Sequence, residues 1–155
     1  MASLPFTARV IAAAVTESVD AAVAGDAEAF DVATERLATL DREQVRVLLG
    51  TVVRILLEQS HPDGVGSDDL QVVIQRVVMS ADGWFAADPG VVVIVLVGAL
   101  GAADPDALQH PPAAADLLRH AAVVIADLLA ADRLLAPVLA EAFAELRRAE
   151  TLDSP

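Results

Sequence analysis

Several residue types are missing from this chain, and their absence limits its chemistry. It contains no cysteine, tyrosine, lysine or asparagine, and its only aromatic residues are one tryptophan and four phenylalanines. Without cysteine there are no disulfides, thiolate nucleophiles, iron–sulfur clusters or cysteine-based zinc sites. Without lysine there is no Schiff base and no Walker-type phosphate loop. Because tyrosine, lysine and asparagine have A/T-rich codons, a high-GC genome explains their absence without a functional cause.

Positive charge is also scarce. The chain has 10 basic residues, all arginine, against 23 acidic residues, so its formal net charge is −13. Such a surface repels phosphate backbones, and we expect no direct binding to nucleic acid. The carboxylates are dispersed along the sequence, which favours a solvated acidic surface over a nucleic-acid mimic.

The hydrophobic segments are too short or too charged for membrane insertion. Residues 91–103 form an uncharged apolar run, but a spanning helix needs about 20 such residues. Residues 22–24 resemble a signal-peptide cleavage site, yet Glu17 and Asp20 interrupt the apolar stretch before them, which favours an amphipathic helix. We therefore expect a cytoplasmic protein with no membrane span.

Apolar residues recur at helical spacing along most of the chain, and residues 1–155 have the length of a single all-helical domain. Asp41 followed by Gln44, and Asp88 followed by Pro89, are typical of helix starts. Pro137 means that the last helix either begins near Ala136 or kinks there. The pattern predicts helices over about residues 5–24, 26–40, 41–59, 67–82, 89–103, 113–130 and 132–150.

The segment 89–103 has no polar face. Its β-branched residues 91–95 could form a strand, but the apolar pattern continues beyond them and no partner strand is evident. A helix that is apolar all round is typically buried. We therefore predict an all-α fold, a single compact bundle of six to seven helices with a buried central helix near 89–103.

Two parts of the sequence resemble each other. VRVLLG at 45–50 is similar to VIVLVG at 93–98, and each is followed by a His-Pro pair and then a helix with Asp-Leu. This pattern predicts an internal helix-loop-helix duplication, 41–83 and 88–131, packed face to face. Chance similarity in a Val- and Leu-rich chain is the alternative. If the duplication is real, Gly50 and Gly98 mark a close approach of two central helices.

The loop after the third predicted helix carries a candidate metal site. His61, Asp63, Asp68 and Asp69 offer an imidazole and carboxylate oxygens to a divalent cation. The sequence is not an EF-hand loop, and a turn followed by an acidic helix start explains it equally well. If these residues bind a metal ion, the protein would be a metal-dependent enzyme that uses the His61 loop.

Two further pairs of residues are candidates for binding. Arg119 and His120 could anchor an anionic ligand, with an Asp116–His120 pair that would favour the imidazolium form. Trp84 and Phe85 lie in a predicted connector, where they could form a protein interface.

Three functions follow from these patterns. The first is a non-enzymatic interaction or assembly module that forms a homodimer through an apolar helix face. The second is a small-molecule or lipid-binding bundle with an apolar pocket between the two repeated units. The third is the metal-dependent enzyme. No motif for a nucleophile, a phosphate loop or a metalloprotease is present, so we expect no catalytic residues and no cofactor.

Overall fold

A computed structural model describes residues 4–102, 108–129 and 133–153, and these ranges form seven α-helices and no strand. All seven helices contribute to one hydrophobic core. The predicted all-α bundle is therefore confirmed. Among the described helices, none combines the length and apolarity that crossing a membrane requires. The helices are α1 (Phe6–Ala24), α2 (Ala27–Ala38), α3 (Arg42–Ser60), α4 (Ser67–Ala81), α5 (Pro89–Ala99), α6 (Ala114–Leu129) and α7 (Leu135–Asp153).

Local signals in the sequence set the helix ends. The Asp41 carboxylate accepts a hydrogen bond from the Gln44 N–H at 3.0 Å and so begins α3. The Asp88 carboxylate accepts from the Gly90 N–H at 2.8 Å and begins α5. These side chains satisfy main-chain donors that the first turn of a helix leaves unpaired. Both helix starts agree with the sequence prediction.

Two helix boundaries need comment. α5 ends at Ala99 and not at 103, because Gly101 adopts a left-handed φ of 76°. The Gly101 and Ala102 N–H groups bond back to the Gly98 and Val97 carbonyls, which is the Schellman pattern that stops a helix. Residue 103 lies outside the described ranges. α7 begins at Leu135, which places Pro137 in its first turn, where no helical hydrogen bond is lost.

Burial of α5 differs from the prediction. The helix packs against α3, α4 and α6, but it buries only Val91, Val92 and Leu96. Val93 is 39% exposed, and Val97 is half-buried. The expectation that this helix is buried on nearly every side is therefore wrong. α3 and α6 are the central helices, each with eight buried residues.

The two proposed repeats each form a helix, a connector and a second helix, namely α3 with α4 and α5 with α6. Their first helices differ in length, 19 residues against 11. The duplication stays a prediction. Gly50 does not mark a close contact, because a Cβ built on it would meet no atom within 4 Å. Open space lies beside it.

Candidate functional site

The open space beside Gly50 is part of a groove of about 590 Å³ between α3, α5 and α6. The end of α2 and Pro111 and Pro112 complete its walls. This volume falls within the roughly 300–1,000 Å³ of typical small-molecule sites. Its larger apolar side chains include Leu37, Val45, Leu49, Val53, Ile94, Val95, Leu117 and Leu118.

The polar part of the lining is confined to the start of α3. Among the described residues that line the groove, only Arg42, Glu43 and Arg46 have polar side chains. Arg46 binds both carboxylate oxygens of Glu43, with Nη2 to Oε1 at 2.8 Å and Nε to Oε2 at 3.3 Å. This hydrogen bond and the positive charge of Arg46 lower the pKa of Glu43. The groove thus offers two guanidinium groups and one ionised carboxylate beside an apolar surface.

The groove lies between the two proposed repeat units. Leu49 and Val53 of α3 face it from the first unit, and Ile94 and Leu118 face it from the second. Arg119 and His120, the ligand anchors suggested by the sequence, do not line it. Arg119 is half-buried and forms no ion pair within the part of the chain that the structure describes.

His120 holds two parts of the fold together. Its side chain is only 5% exposed. Nε2 accepts a hydrogen bond from the Asp88 main-chain N–H at 3.0 Å, so the ring proton is on Nδ1, which donates to the Asp116 carbonyl oxygen at 2.7 Å. The ring is therefore neutral. The suggested pair between the Asp116 carboxylate and His120 is wrong, because the contact with Asp116 is to its main-chain carbonyl.

Trp84 and Phe85 belong to an aromatic cluster that forms within a single chain. Both rings lie edge-on to Phe30, with centroids 5.2 and 5.4 Å from it, and Phe85 also contacts the His120 ring at 5.0 Å. The Trp84 Nε1–H donates to the Ser80 carbonyl at 3.3 Å. Both side chains remain half-buried, so their role at a protein interface stays a prediction.

The residues of the candidate metal site do not converge. His61 Nδ1 donates to the Leu57 carbonyl at 3.0 Å, and its Nε2 lies 3.7 Å from Asp69 Oδ1. The other oxygen of Asp69 accepts from the Gly66 N–H at 2.8 Å, which closes the start of α4. Asp63 and Asp68 are exposed. Across the described residues, no three His, Asp or Glu side chains form a group that could hold a metal ion.

No protein-family model matches the chain, and no curated protein or solved structure matches it either.

The lining residues were not recognisable as a site from the sequence. Val45, Leu49 and Leu118 fit a helical apolar pattern and look like ordinary core residues. A weak signal exists in the small residues among them, because Gly50, Gly98 and the alanines of α6 leave space that larger side chains would fill. Sequence alone does not show that these small residues face each other.

Proposed function

We propose that the protein binds a small apolar molecule that carries an anionic group, with the apolar part in the groove and the anion beside Arg42. The observation that carries this proposal is the composition of the lining, whose described residues are apolar except for the three charged residues at the start of α3. A concave apolar site with a few polar groups at one place is the usual form of a small-molecule site.

The two kinds of contact have different roles. Each Å² of apolar ligand surface that leaves water contributes about 25 cal/mol, so the apolar wall supplies most of the affinity. Guanidinium groups bind carboxylates and sulfonates through paired N–H donors, which selects the charge of the head group. Because the protein carries a net charge of −13, anions are repelled from most of its surface. We therefore expect affinity for an anion only with an apolar tail attached.

Isothermal titration calorimetry tests whether binding requires both the apolar tail and the anionic group. The three ligands share a decyl chain and differ only in the head group. We expect decanesulfonate to bind more tightly than decanol, and decylamine to bind no better than decanol.

Gly50→Leu should weaken binding of decanesulfonate by about tenfold, because the new side chain occupies the groove. Val47→Leu is the matched control, since Val47 lies on the same helix but does not line the groove. Equal binding by Gly50→Leu and the wild type would contradict the proposal.

A second candidate function is the non-enzymatic homodimer. α5 has no polar side chain between Pro89 and Ala99, and its outward side exposes Val93 and, in part, Val97. Exposed apolar patches of this kind favour association. Light scattering after size exclusion should then give twice the chain mass of 16.1 kDa. Val93→Glu should return the mass to that of one chain, whereas Val72→Glu on α4 should not. A single-chain mass for the wild type would refute the dimer.

A further inference from the structure

His120 connects the start of α5 with the middle of α6. Its Nε2 accepts from the Asp88 N–H, and Asp88 is the residue whose carboxylate caps α5 at Gly90. Asp88 is therefore held on both sides, by the imidazole through its main chain and by the first turn of α5 through its side chain. This arrangement fixes where α5 begins relative to α6.

The same elements form the groove. Ile94 and Val95 of α5 line it, and so do Leu118 and Ala121 of α6, the latter directly after His120. A change in the distance between the start of α5 and α6 would change the space between these side chains. The histidine is thus placed to influence the groove without lining it.

A second proton on the ring is incompatible with this contact. Protonated Nε2 would direct an N–H at the Asp88 N–H, and two donors cannot bond to each other. His120 is 5% exposed, and its ring centroid lies 5.0 Å from that of Phe85, so a charged ring in this position would be costly without a new hydrogen-bond partner. The contact therefore breaks when the ring is charged.

The carboxylate nearest in the chain to the contact is that of Asp88 itself, and it accepts a hydrogen bond from the Gly90 N–H at 2.8 Å. Within the described ranges, His120 forms no ion pair with a carboxylate. On α6 itself Asp116 is exposed and Arg119 half-buried, and in the connector before α5 Asp82 is exposed. The charged residues of the helices packed against α6 have other partners or are exposed. The partners are Arg36 for Glu17, the Ala29 N–H for Asp26, the Gln44 N–H for Asp41, Arg46 for Glu43, Glu58 and Glu145 for Arg54, the Gly66 N–H for Asp69, and Asp127 for Arg76. The exposed residues are Arg9, Asp20, Glu28, Asp31, Glu35, Arg42 and Asp68.

We propose that His120 is a proton-sensitive latch between α5 and α6 that releases the ligand of the groove when the pH falls. The release step rests on the proposed function, but the latch itself does not. At neutral pH the neutral ring holds Asp88 and the groove keeps its shape. When the ring takes up a second proton on acidification, the contact with Asp88 is lost, the start of α5 separates from α6 and the groove loses its fit to the ligand.

Decanesulfonate is a suitable probe, because its head group stays ionised over the pH range required. We expect its dissociation constant to rise at least about fivefold between about pH 7.5 and about pH 5.5, a typical size for coupling between two sites. His120→Gln retains a donor and an acceptor but does not titrate, and its dissociation constant should change less than about twofold. His61→Gln is the matched control and should keep the pH dependence of the wild type.

The single tryptophan provides a readout that needs no ligand. Trp84 lies in the ring cluster that includes Phe85, the neighbour of His120, so its emission should shift over the same pH range in the wild type and not in His120→Gln. If His120→Gln does not fold, the Asp88 amide shift in the wild-type NMR spectrum should follow the His120 ring titration. Absence of ligand binding at either pH would overturn the proposed function, while identical pH profiles of wild type and His120→Gln would overturn the latch.

Discussion

Gly50 offers a direct test of the groove, because it lies within α3 and beside empty space. A Cβ built on this residue meets no atom within 4 Å outside its own helix turns. Glycine inside a helix costs about 1 kcal/mol relative to alanine, since the unfolded chain loses more conformational freedom. Gly50→Ala should therefore remove this cost and introduce no steric conflict.

We expect Gly50→Ala to raise the free energy of unfolding by about 0.5–1 kcal/mol. For a chain of this length, that corresponds to an increase in Tm of about 2–4 °C. Urea denaturation followed by far-UV circular dichroism measures the change, and the denaturation slope should stay the same because the folded core is unaltered.

Gly25→Ala is the control with the opposite sign. Gly25 ends α1 at a left-handed φ of 66°, which alanine adopts only with strain, and its added Cβ would lie 3.6 Å from the Trp84 ring. This variant should lose about 1 kcal/mol of stability. The reasoning is refuted if Gly50→Ala destabilises the protein or leaves its stability unchanged, because space beside α3 would then be occupied.

Three other variants test the packing and charge of the bundle. Leu96→Ala, at a side chain with no exposure, should cost about 2–5 kcal/mol in urea denaturation, whereas Val93→Ala on the exposed side of α5 should cost less than about 1 kcal/mol. Phe30→Leu should cost about 1–2 kcal/mol and change the tryptophan emission, because it removes two edge-on ring contacts. Burial raises the pKa of Asp127, against the effect of its partner Arg76, so this carboxyl binds a proton more readily in the folded chain than in the unfolded chain. Its contribution to stability therefore improves as the pH falls through the raised pKa, and Asp127→Asn should lose this pH dependence in urea denaturation at neutral and acidic pH.

Much of the fold could be predicted from local chemistry. Asp41 and Asp88 were recognisable as helix starts because a short acidic side chain can bond to main-chain N–H groups within its own turn. The end of α5 was missed, although Gly101 was visible, because an apolar run gives no sign of which glycine adopts a positive φ. Local signals are reliable where the partner atoms are close in sequence.

Burial and the candidate site depend on partners that are distant in sequence. The role of His120 required Asp88, 32 residues away, whereas the spacing drew attention to the carboxylate of Asp116 four residues away. The groove brings together residues from α2, α3, α5 and α6. None of these segments carries a polar pattern that distinguishes a groove wall from a core face.

The uniform apolar character of α5 follows from three different surroundings. Val92 and Leu96 face the core, while Ile94 and Gly98 line the groove, and Val93 remains exposed. Because the groove explains only one of the two sides outside the core, the proposed ligand site and the proposed dimer surface consist of different residues, and their effects should be separable. Val93→Glu should abolish the dimer and leave the dissociation constant for decanesulfonate within about twofold of the wild type, whereas Gly50→Leu should weaken the ligand and leave the dimer intact. Loss of both properties in either variant would show that one surface serves both functions.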